Sequence, residues 1–158
     1  MLAPSHCIDT YGRDEHSQLG LFHCAFDLVD PQVVQFFTLR HFRDIALKST
    51  MFCFDQDEDG GLVSAMCHHS QGNQYFRYDI VTKQIHHGSW YRDECVDMNP
   101  DGLINNVIFL SKCDEKSLSQ KWNWGYVNET ALRSWTDSGT TILDKKELVD
   151  LKNKKSSK

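Results

Sequence analysis

One pattern of residues occurs three times along this chain of 158 residues. Each copy begins with a cysteine, an apolar residue and an aspartate, continues through turn residues to a second cysteine, and later has a glutamine two places before an aromatic residue. The opening triplets are Cys7-Ile8-Asp9, Cys53-Phe54-Asp55 and Cys95-Val96-Asp97. The closing triplets are Gln35-Phe36-Phe37, Gln74-Tyr75-Phe76 and Gln120-Lys121-Trp122. This recurrence indicates a chain built from three copies of one structural unit.

The local pattern within each copy is typical of β-structure. Short apolar or alternating runs predict strands at residues 34–39, 75–80, 107–110 and 121–126. A unit of about 45 residues cannot bury its apolar face alone, so three units should pack around a common axis. Barrel closure also removes exposed strand edges. These conditions predict an all-β, pseudo-threefold β-trefoil, in which the closing aromatics fill the core and the closing glutamines satisfy buried backbone groups.

The length of the chain allows one domain and a short tail. We expect the trefoil to cover residues 1–135, with repeats at about 5–48, 49–90 and 91–135. Beyond it, residues 136–158 are expected to form a tail, with a short amphipathic helix at 143–151 and a frayed end.

The six cysteines fall into three short-range couples. This spacing predicts three local disulfides, Cys7–Cys24, Cys53–Cys67 and Cys95–Cys113, and the alternative is six buried, reduced thiols. The triplet Asn128-Glu129-Thr130 makes Asn128 a candidate for N-glycosylation. Both features favour a secretory compartment. Because the N-terminus does not resemble a signal peptide, we expect a piece of a longer secreted or lumenal protein.

Charge and hydropathy exclude two classes of partner. The formal net charge is −5, and no stretch combines dense basic residues with aromatics, so we expect no nucleic-acid binding. No apolar run approaches the length of about 20 residues that a membrane-spanning helix requires.

The segment around the fourth cysteine is the most specific in the chain. It reads Cys67-His68-His69-Ser70-Gln71-Gly72-Asn73-Gln74-Tyr75-Phe76. This is similar to the Cys-His-x-x-Gly-Gly-Asn-Gln-x-Trp signature of the ricin-type lectin domain that follows the catalytic domain of polypeptide N-acetylgalactosaminyltransferases. Residues 36–45 resemble a subgroup of these enzymes whose first repeat lacks the signature. The resemblance implies a β-trefoil in the Golgi lumen that recognises N-acetylgalactosamine on mucin-type glycopeptides and steers a catalytic domain in cis.

The resemblance also implies where a sugar would bind in each repeat, or lobe. The family uses the aspartate of the opening triplet, the histidine after the second cysteine, and the asparagine before the glutamine. The middle lobe has all three, Asp55, His68 and Asn73. A carboxylate and a carboxamide suit sugar hydroxyls because together they accept and donate hydrogen bonds. The alternative is that Asp55 and Asn73 only stabilise turns.

The other two lobes have incomplete sets. The first lobe keeps Asp9 and has Phe22 where an aromatic could stack on a sugar, but Ala25 and Val34 stand at the histidine and asparagine positions. The third lobe keeps Asp97 and has Asp114 and Ser119 at those positions. We therefore treat Asp97, Asp9 and Phe22 as weaker candidates than the middle-lobe residues.

Two other functions compete with that of a lectin. An enzyme is disfavoured because Asp14-Glu15-His16 has no nucleotide-binding α/β unit around it and no other catalytic motif is present. We expect no catalytic residue, metal or cofactor in this domain, with manganese and UDP-sugar confined to a separate catalytic domain. The remaining alternative is a β-trefoil that binds other proteins through degenerate sugar sites.

Overall fold

The computed structural model describes residues 6–10, 14–24, 35, 37–48, 50–88, 92–99, 107–125 and 127–134. Within these ranges the longest helix has six residues, and none could cross a membrane. The predicted tail, including the helix at 143–151, lies outside the described residues.

The described chain is built mainly of short antiparallel strands. In chain order they are β1 (His6–Asp9), β2 (Gly20–His23), β3 (Phe37–Leu39), β4 (Ile45–Leu47), β5 (Phe52–Gln56), β6 (Leu62–Met66), β7 (Phe76–Asp79), β8 (Gln84–His87), β9 (Glu94–Met98) and β10 (Ile108–Lys112). They form a two-stranded sheet, β1-β2, and two four-stranded sheets, β3-β4-β5-β6 and β7-β8-β9-β10. A single α-helix, α1 (Glu129–Ser134), follows within the described part of the chain.

The three hairpins that begin with the opening triplets have the same register. The first cysteine of each lobe lies opposite the residue two places before its second cysteine; these pairs are Cys7 with Phe22, Cys53 with Ala65 and Cys95 with Ser111. The aspartates lie opposite Gly20, Val63 and Phe109. Directly opposite residues share a face of the hairpin, so these positions are equivalent in the three lobes.

The same hairpins close into a ring. Three isolated bridges join them pairwise: Gln18 with Val63, Gly61 with Phe109, and Val107 with Gly20. Each hairpin contributes two bridging residues. In every bridge, the first bridging residue of one hairpin pairs with the second bridging residue of the next hairpin. This cyclic arrangement gives the barrel its pseudo-threefold axis, and the predicted β-trefoil is confirmed.

A layer of equivalent side chains fills the axis. Leu19, Leu62 and Ile108 lie between the bridging residues of their lobes and are completely buried. Burying one such side chain contributes about 1.5–3 kcal/mol. Among the closing aromatics, Phe76 belongs to the core, and Phe37 and Trp122 pack against it. The prediction that these aromatics point inward is confirmed.

The three predicted disulfides are present. Cys7–Cys24, Cys53–Cys67 and Cys95–Cys113 have Cα separations of 5.0, 5.1 and 5.0 Å. Each one ties the first strand of its lobe to the segment after the second strand. The alternative of six reduced thiols is therefore wrong.

Two details of the predicted secondary structure need correction. The strand expected at 121–126 is not formed in residues 121–125; there Trp122 donates its backbone N–H to Lys83 O at 2.8 Å and its ring N–H to Val96 O at 2.9 Å. These contacts hold the segment against the core without a strand ladder. The helix α1 was not predicted, because six residues are too few to show a helical period.

Candidate functional site

One hydrogen-bond arrangement recurs around the aspartates of the opening triplets. The closing glutamine of each lobe donates from Nε2 to that aspartate: Gln35 to Asp9 at 2.9 Å, Gln74 to Asp55 at 2.6 Å, and Gln120 to Asp97 at 2.9 Å. The same Nε2 also donates to the carbonyl of the residue before the second cysteine. The predicted scaffold role of the glutamines is confirmed. Since each aspartate accepts a hydrogen bond from its glutamine, it supports the structure of its lobe whether or not the lobe binds a ligand.

The middle lobe adds a second interaction to its aspartate. Asn73 donates from Nδ2 to Asp55 Oδ1, and Asn73 Oδ1 lies 3.3 Å from His68 Nε2. Asp55 comes from β5, His68 follows Cys67, and Asn73 lies in the 3₁₀ turn Gly72–Gln74. Asp55 is buried, whereas His68 and Asn73 are exposed. The structure thus brings the three predicted residues together at one place on the surface.

The neighbouring backbone fixes the direction of this chain of hydrogen bonds. The N–H of Ser70 donates to His68 Nδ1 at 3.1 Å. In a neutral imidazole whose Nδ1 accepts, the proton is on Nε2, so His68 donates to Asn73 Oδ1. The amide nitrogen of Asn73 then faces Asp55. Donors and acceptors are consequently arranged in a single order, from the imidazole through the carboxamide to the carboxylate.

The turn that carries Asn73 is held on its inner side. Gln71 and Gly72 both have a φ of 65°, the left-handed region that a tight turn of this kind uses. The buried His87 places Nε2 3.2 Å from Asn73 O. Burial lowers the pKa of His87, so the ring is neutral near neutral pH and donates either from Nε2 to that carbonyl or from Nδ1 to Glu94 Oε2, which lies 3.3 Å away.

The middle lobe lacks a stacking aromatic at the usual position. Ala65 lies opposite Cys53, where the first lobe has Phe22, which is 51% exposed. Tyr75 cannot substitute for it, because only 3% of it is exposed. His69 is partly exposed and packs against the ring of Phe42. An aromatic surface therefore exists near this lobe, although sequence reasoning did not identify Phe42.

The third lobe uses its polar groups internally. Asp97 accepts from Met98 N at 2.7 Å, Ser111 Oγ at 2.5 Å and Gln120 Nε2 at 2.9 Å. Burial alone would raise the pKa of Asp97, but the hydrogen bonds from Ser111, Gln120 and Ser119 hold it below its usual value. Asp114 accepts from the backbone of Lys116 at 2.9 Å. Little hydrogen-bonding capacity is left at Asp97 for a ligand.

The first lobe is described only in part. Asp9 is buried, and the exposed ring of Phe22 lies 6.1 Å from that of His23. Ala25 and Val34, which stand at the histidine and asparagine positions, lie outside the described residues.

Two further sequence motifs lie at the surface, and two clusters of side chains lie at the disulfides. Asp14, Glu15 and His16 form an exposed turn, and Asn128 is exposed directly before α1. Among the described residues, the two groups with the proximity of metal ligands are Asp44 with Cys53 and Cys67, and His86 with Cys95 and Cys113. Their sulfur atoms are paired in disulfides and offer no thiolate.

Comparisons with known proteins identify the family of this fold. A family model described as the ricin-type beta-trefoil lectin domain matches residues 1–122. The chain is 35% identical over 133 residues to N-acetylgalactosaminyltransferase 6 of Drosophila melanogaster, covering 82% of this chain and 19% of that protein. It is 29% identical over 134 residues to a putative polypeptide N-acetylgalactosaminyltransferase 10 of Caenorhabditis briggsae, covering 83% and 21%. The chain thus spans about a fifth of the length of these relatives.

Two solved structures share the fold. GalNAc-T7, crystallised with UDP, GalNAc and Mn²⁺, superposes with a TM-score of 0.61 at 20% identity, covering 75% of this chain and 20% of that one. The β-trefoil lectin of the Vibrio vulnificus hemolysin/cytolysin, with N-acetyl-D-lactosamine bound, has a TM-score of 0.59 at 10% identity, covering 78% and 87%. At these identities, the likeness shows the architecture alone.

Proposed function

Since this chain belongs to the family of ricin-type β-trefoil lectin domains, we propose that its middle lobe binds N-acetylgalactosamine through Asp55, His68 and Asn73. The chain is a non-catalytic, carbohydrate-binding module. The observation that carries the finer proposal is the connected hydrogen-bond chain through these three side chains. In the third lobe the corresponding aspartate accepts from Ser111 of the facing strand, in addition to the glutamine bond that all three lobes share.

The site offers polar groups that suit the hydroxyls of a galactose-type sugar. Such a sugar presents neighbouring hydroxyl groups and a flat patch of C–H bonds. The Asp55 carboxylate can accept hydroxyl hydrogens, and charge-assisted hydrogen bonds are the stronger kind. Asn73 is exposed and has a second amide hydrogen, and the imidazole of His68 borders the same place. Binding requires the hydroxyls to compete with the internal bond between Asn73 and Asp55.

A shallow polar site of this kind should bind weakly. Each hydroxyl exchanges a hydrogen bond with water for one with the protein, so the net gain is small. We expect dissociation constants in the millimolar range, about −4 kcal/mol. Weak binding becomes useful when the site is tethered to another domain, which raises the effective concentration of the ligand.

The relatives suggest that other domain. We propose that the trefoil, over residues 1–135, lies in cis with a catalytic domain that transfers N-acetylgalactosamine, and that it directs this domain to partly glycosylated peptides. Manganese and UDP-sugar would belong to the catalytic domain. The Golgi lumen is the proposed location; it fits the three disulfides and a glycan at the exposed Asn128.

The proposal is tested by comparing a substitution at Asn73 with one at Ser119, which stands at the equivalent position of the third lobe. Asn73→Ala removes the amide that links Asp55 to His68, and Ser119→Ala alters the same position in the third lobe. Isothermal titration with methyl α-N-acetylgalactosaminide should show binding by the unaltered chain and by Ser119→Ala, and none by Asn73→Ala. Equal binding by all three would refute the middle-lobe site. No binding by the unaltered chain would favour the protein-binding alternative.

A further inference from the structure

An aromatic surface lies beside the middle lobe on a turn supplied by the first repeat. The turn joins β3 to β4 and places the ring of Phe42 4.8 Å from that of His69, at an interplanar angle of 36°. Both side chains remain about 41% exposed. We call the pair Phe42 and His69 the aromatic ledge.

A buried carboxylate holds the ledge in place. Asp44 is 1% exposed; it accepts two hydrogen bonds from Arg40, at 2.8 and 2.6 Å, and lies 2.7 Å from His69 Nδ1. Burial alone would raise the pKa of Asp44, but the bonds from Arg40 and His69 hold it below its usual value and keep the carboxyl charged. The ledge is therefore ordered before any ligand arrives.

The backbone on both sides of the ledge is also unusual. Arg43, directly after Phe42, has a φ of 70°, and His69 has a φ of 56°. Non-glycine residues seldom adopt this left-handed conformation, and such residues cluster at functional sites. In His69 this conformation accompanies a ring that turns back onto Asp44.

The ledge borders the sugar site across the Cys53–Cys67 disulfide. Asp44 Oδ2 lies 3.6 Å from Cys53 Sγ, and Cys53 is two residues before Asp55 on the same face of β5. Two residues of a strand span about 7 Å, and His69 directly follows His68 in the chain. The ledge is thus tied to the segments that carry the sugar site: His69 is one residue from His68 along the chain, and Asp44 contacts Cys53, two strand residues from Asp55.

The chemistry of the ledge selects the kind of group that would occupy it. The Nε and Nη2 of Arg40 and the Nδ1 of His69 are turned inward to Asp44. The exposed part of the pair is therefore mainly aromatic, and the exposed ring of His41 extends it, with its centroid 3.8 Å from that of Phe42. Aromatic faces suit the C–H surface of a pyranose, whereas an acidic peptide would need free cationic donors.

We propose that the aromatic ledge is a second subsite, which stacks a pyranose ring linked to the N-acetylgalactosamine held by Asp55, His68 and Asn73. This inference rests on the proposed function of the middle lobe and extends it from a monosaccharide to a disaccharide. Phe42 is then a residue that determines glycan specificity, supplied to the middle lobe by its neighbour.

The test compares ligands with one ring and two. Methyl α-N-acetylgalactosaminide is titrated beside two disaccharides that carry a galactose on its O3 or its O6. The unaltered chain should bind at least one disaccharide about threefold to tenfold more tightly than the monosaccharide, as expected for one aromatic stacking contact. Phe42→Ala should abolish that gain and leave monosaccharide binding unchanged, while Phe42→Tyr should retain the gain.

The control is Val81→Ala, which truncates an exposed apolar residue in the corresponding turn between β7 and β8. It should behave as the unaltered chain. If Phe42→Ala unfolds, as judged by thermal melting, Phe42→Leu replaces it, because leucine keeps apolar volume without a ring.

The titrations distinguish failure of the ledge from failure of the proposed function. Equal affinity for one ring and two, with the monosaccharide bound, overturns the ledge and leaves the proposed function intact. Loss of monosaccharide binding in a folded Phe42→Ala also overturns it, because Phe42 would then serve the first sugar. If no sugar binds to the unaltered chain, both the proposed function and the ledge fail.

Discussion

Asn73 donates a hydrogen bond to one oxygen of the Asp55 carboxylate, while its chain neighbour Gln74 donates to the other oxygen at 2.6 Å. The carboxylate thus divides its two oxygens between the scaffold and the candidate sugar site. In the third lobe, Asp97 has the glutamine on one oxygen but no asparagine on the other. Under the proposed function, this difference separates the residues that hold a lobe together from those that bind sugar, and the two roles can be tested separately.

Removing the scaffold glutamines should destabilise two lobes equally but affect binding in only one. Gln74 and Gln120 are 1% and 2% exposed, and each satisfies a buried aspartate and nearby backbone groups. We expect Gln74→Ala and Gln120→Ala each to lower the free energy of unfolding by about 2–3 kcal/mol. Urea denaturation measures that loss. Under folding conditions, sugar binding should disappear in Gln74→Ala and persist in Gln120→Ala; the reverse pattern would place the site in the third lobe.

The two aspartates should respond differently to the loss of charge. Asp55→Asn is expected to weaken N-acetylgalactosamine binding at least tenfold, about 1.4 kcal/mol, because the charged acceptor is lost. Asp97→Asn should leave affinity unchanged, since the hydrogen bonds of Asp97 are internal. Frontal affinity chromatography on immobilised sugar compares the two. Equal weakening by both substitutions would show that the third lobe also binds.

Disulfide removal should show the same separation of stability and function. The Cys53–Cys67 and Cys95–Cys113 bridges join residues 14 and 18 positions apart. Loops of that size predict a loss of about 3 kcal/mol for each double cysteine-to-alanine variant, measured by guanidinium denaturation. The Cys53/Cys67 variant should also bind sugar more weakly, because His68 directly follows Cys67. Sugar affinity should be unchanged in the Cys95/Cys113 variant, and a loss there would contradict a middle-lobe site.

Stability should fall as the pH drops below about 6.5, because of His86, a partly buried histidine. His86 lies 3.6 and 3.5 Å from the sulfur atoms of Cys95 and Cys113. Burial, helped by the charge of Arg77, lowers the pKa of His86 from 6.5 to about 4. The unfolded chain therefore takes up a proton at pH values where the folded chain does not. This difference costs about 2 kcal/mol between about pH 7.5 and pH 5.

His86→Gln should flatten the dependence of the melting temperature on pH in that window. His87, whose pKa burial also lowers, leaves a residual slope of the same sign. Asp97→Asn is the control. The pKa of Asp97 lies below its ordinary value of 3.8, so its contribution is present above that pH and is lost only in more acidic solution. An unaltered slope in His86→Gln would show that burial does not depress its pKa.

The repeated features of the chain were predictable from sequence, because three copies of a pattern constrain one another. The cysteine couples gave the correct disulfides, and the closing triplets gave the inward aromatics and the scaffold glutamines. Asp55, His68 and Asn73 could be grouped because the resemblance to the ricin-type lectin domains assigns sugar binding to these three positions. Their contact in the structure follows from the hairpin and turn that those cysteines join.

Features that occur once were not predictable. The contact between Asp44 and His69 joins residues 25 positions apart and has no counterpart in the repeat pattern. The hydrogen bond from Ser111 to Asp97 in the third lobe depends on the register between β9 and β10, which the sequence alone does not show. The strand expected at 121–126 is not formed in residues 121–125, because Trp122 donates its backbone N–H to Lys83 O and its ring N–H to Val96 O in place of a strand ladder.

The most direct test of the account is a titration of the isotope-labelled chain with N-acetylgalactosamine, followed through its backbone amide signals by NMR. The account predicts that signals near Asp55, His68 and Asn73 shift together along one millimolar binding curve, while those near Asp97 and Ser119 do not move. Unmoved signals throughout, at concentrations of tens of millimolar or about ten times the expected dissociation constant, would contradict it. So would shifts centred on the third lobe.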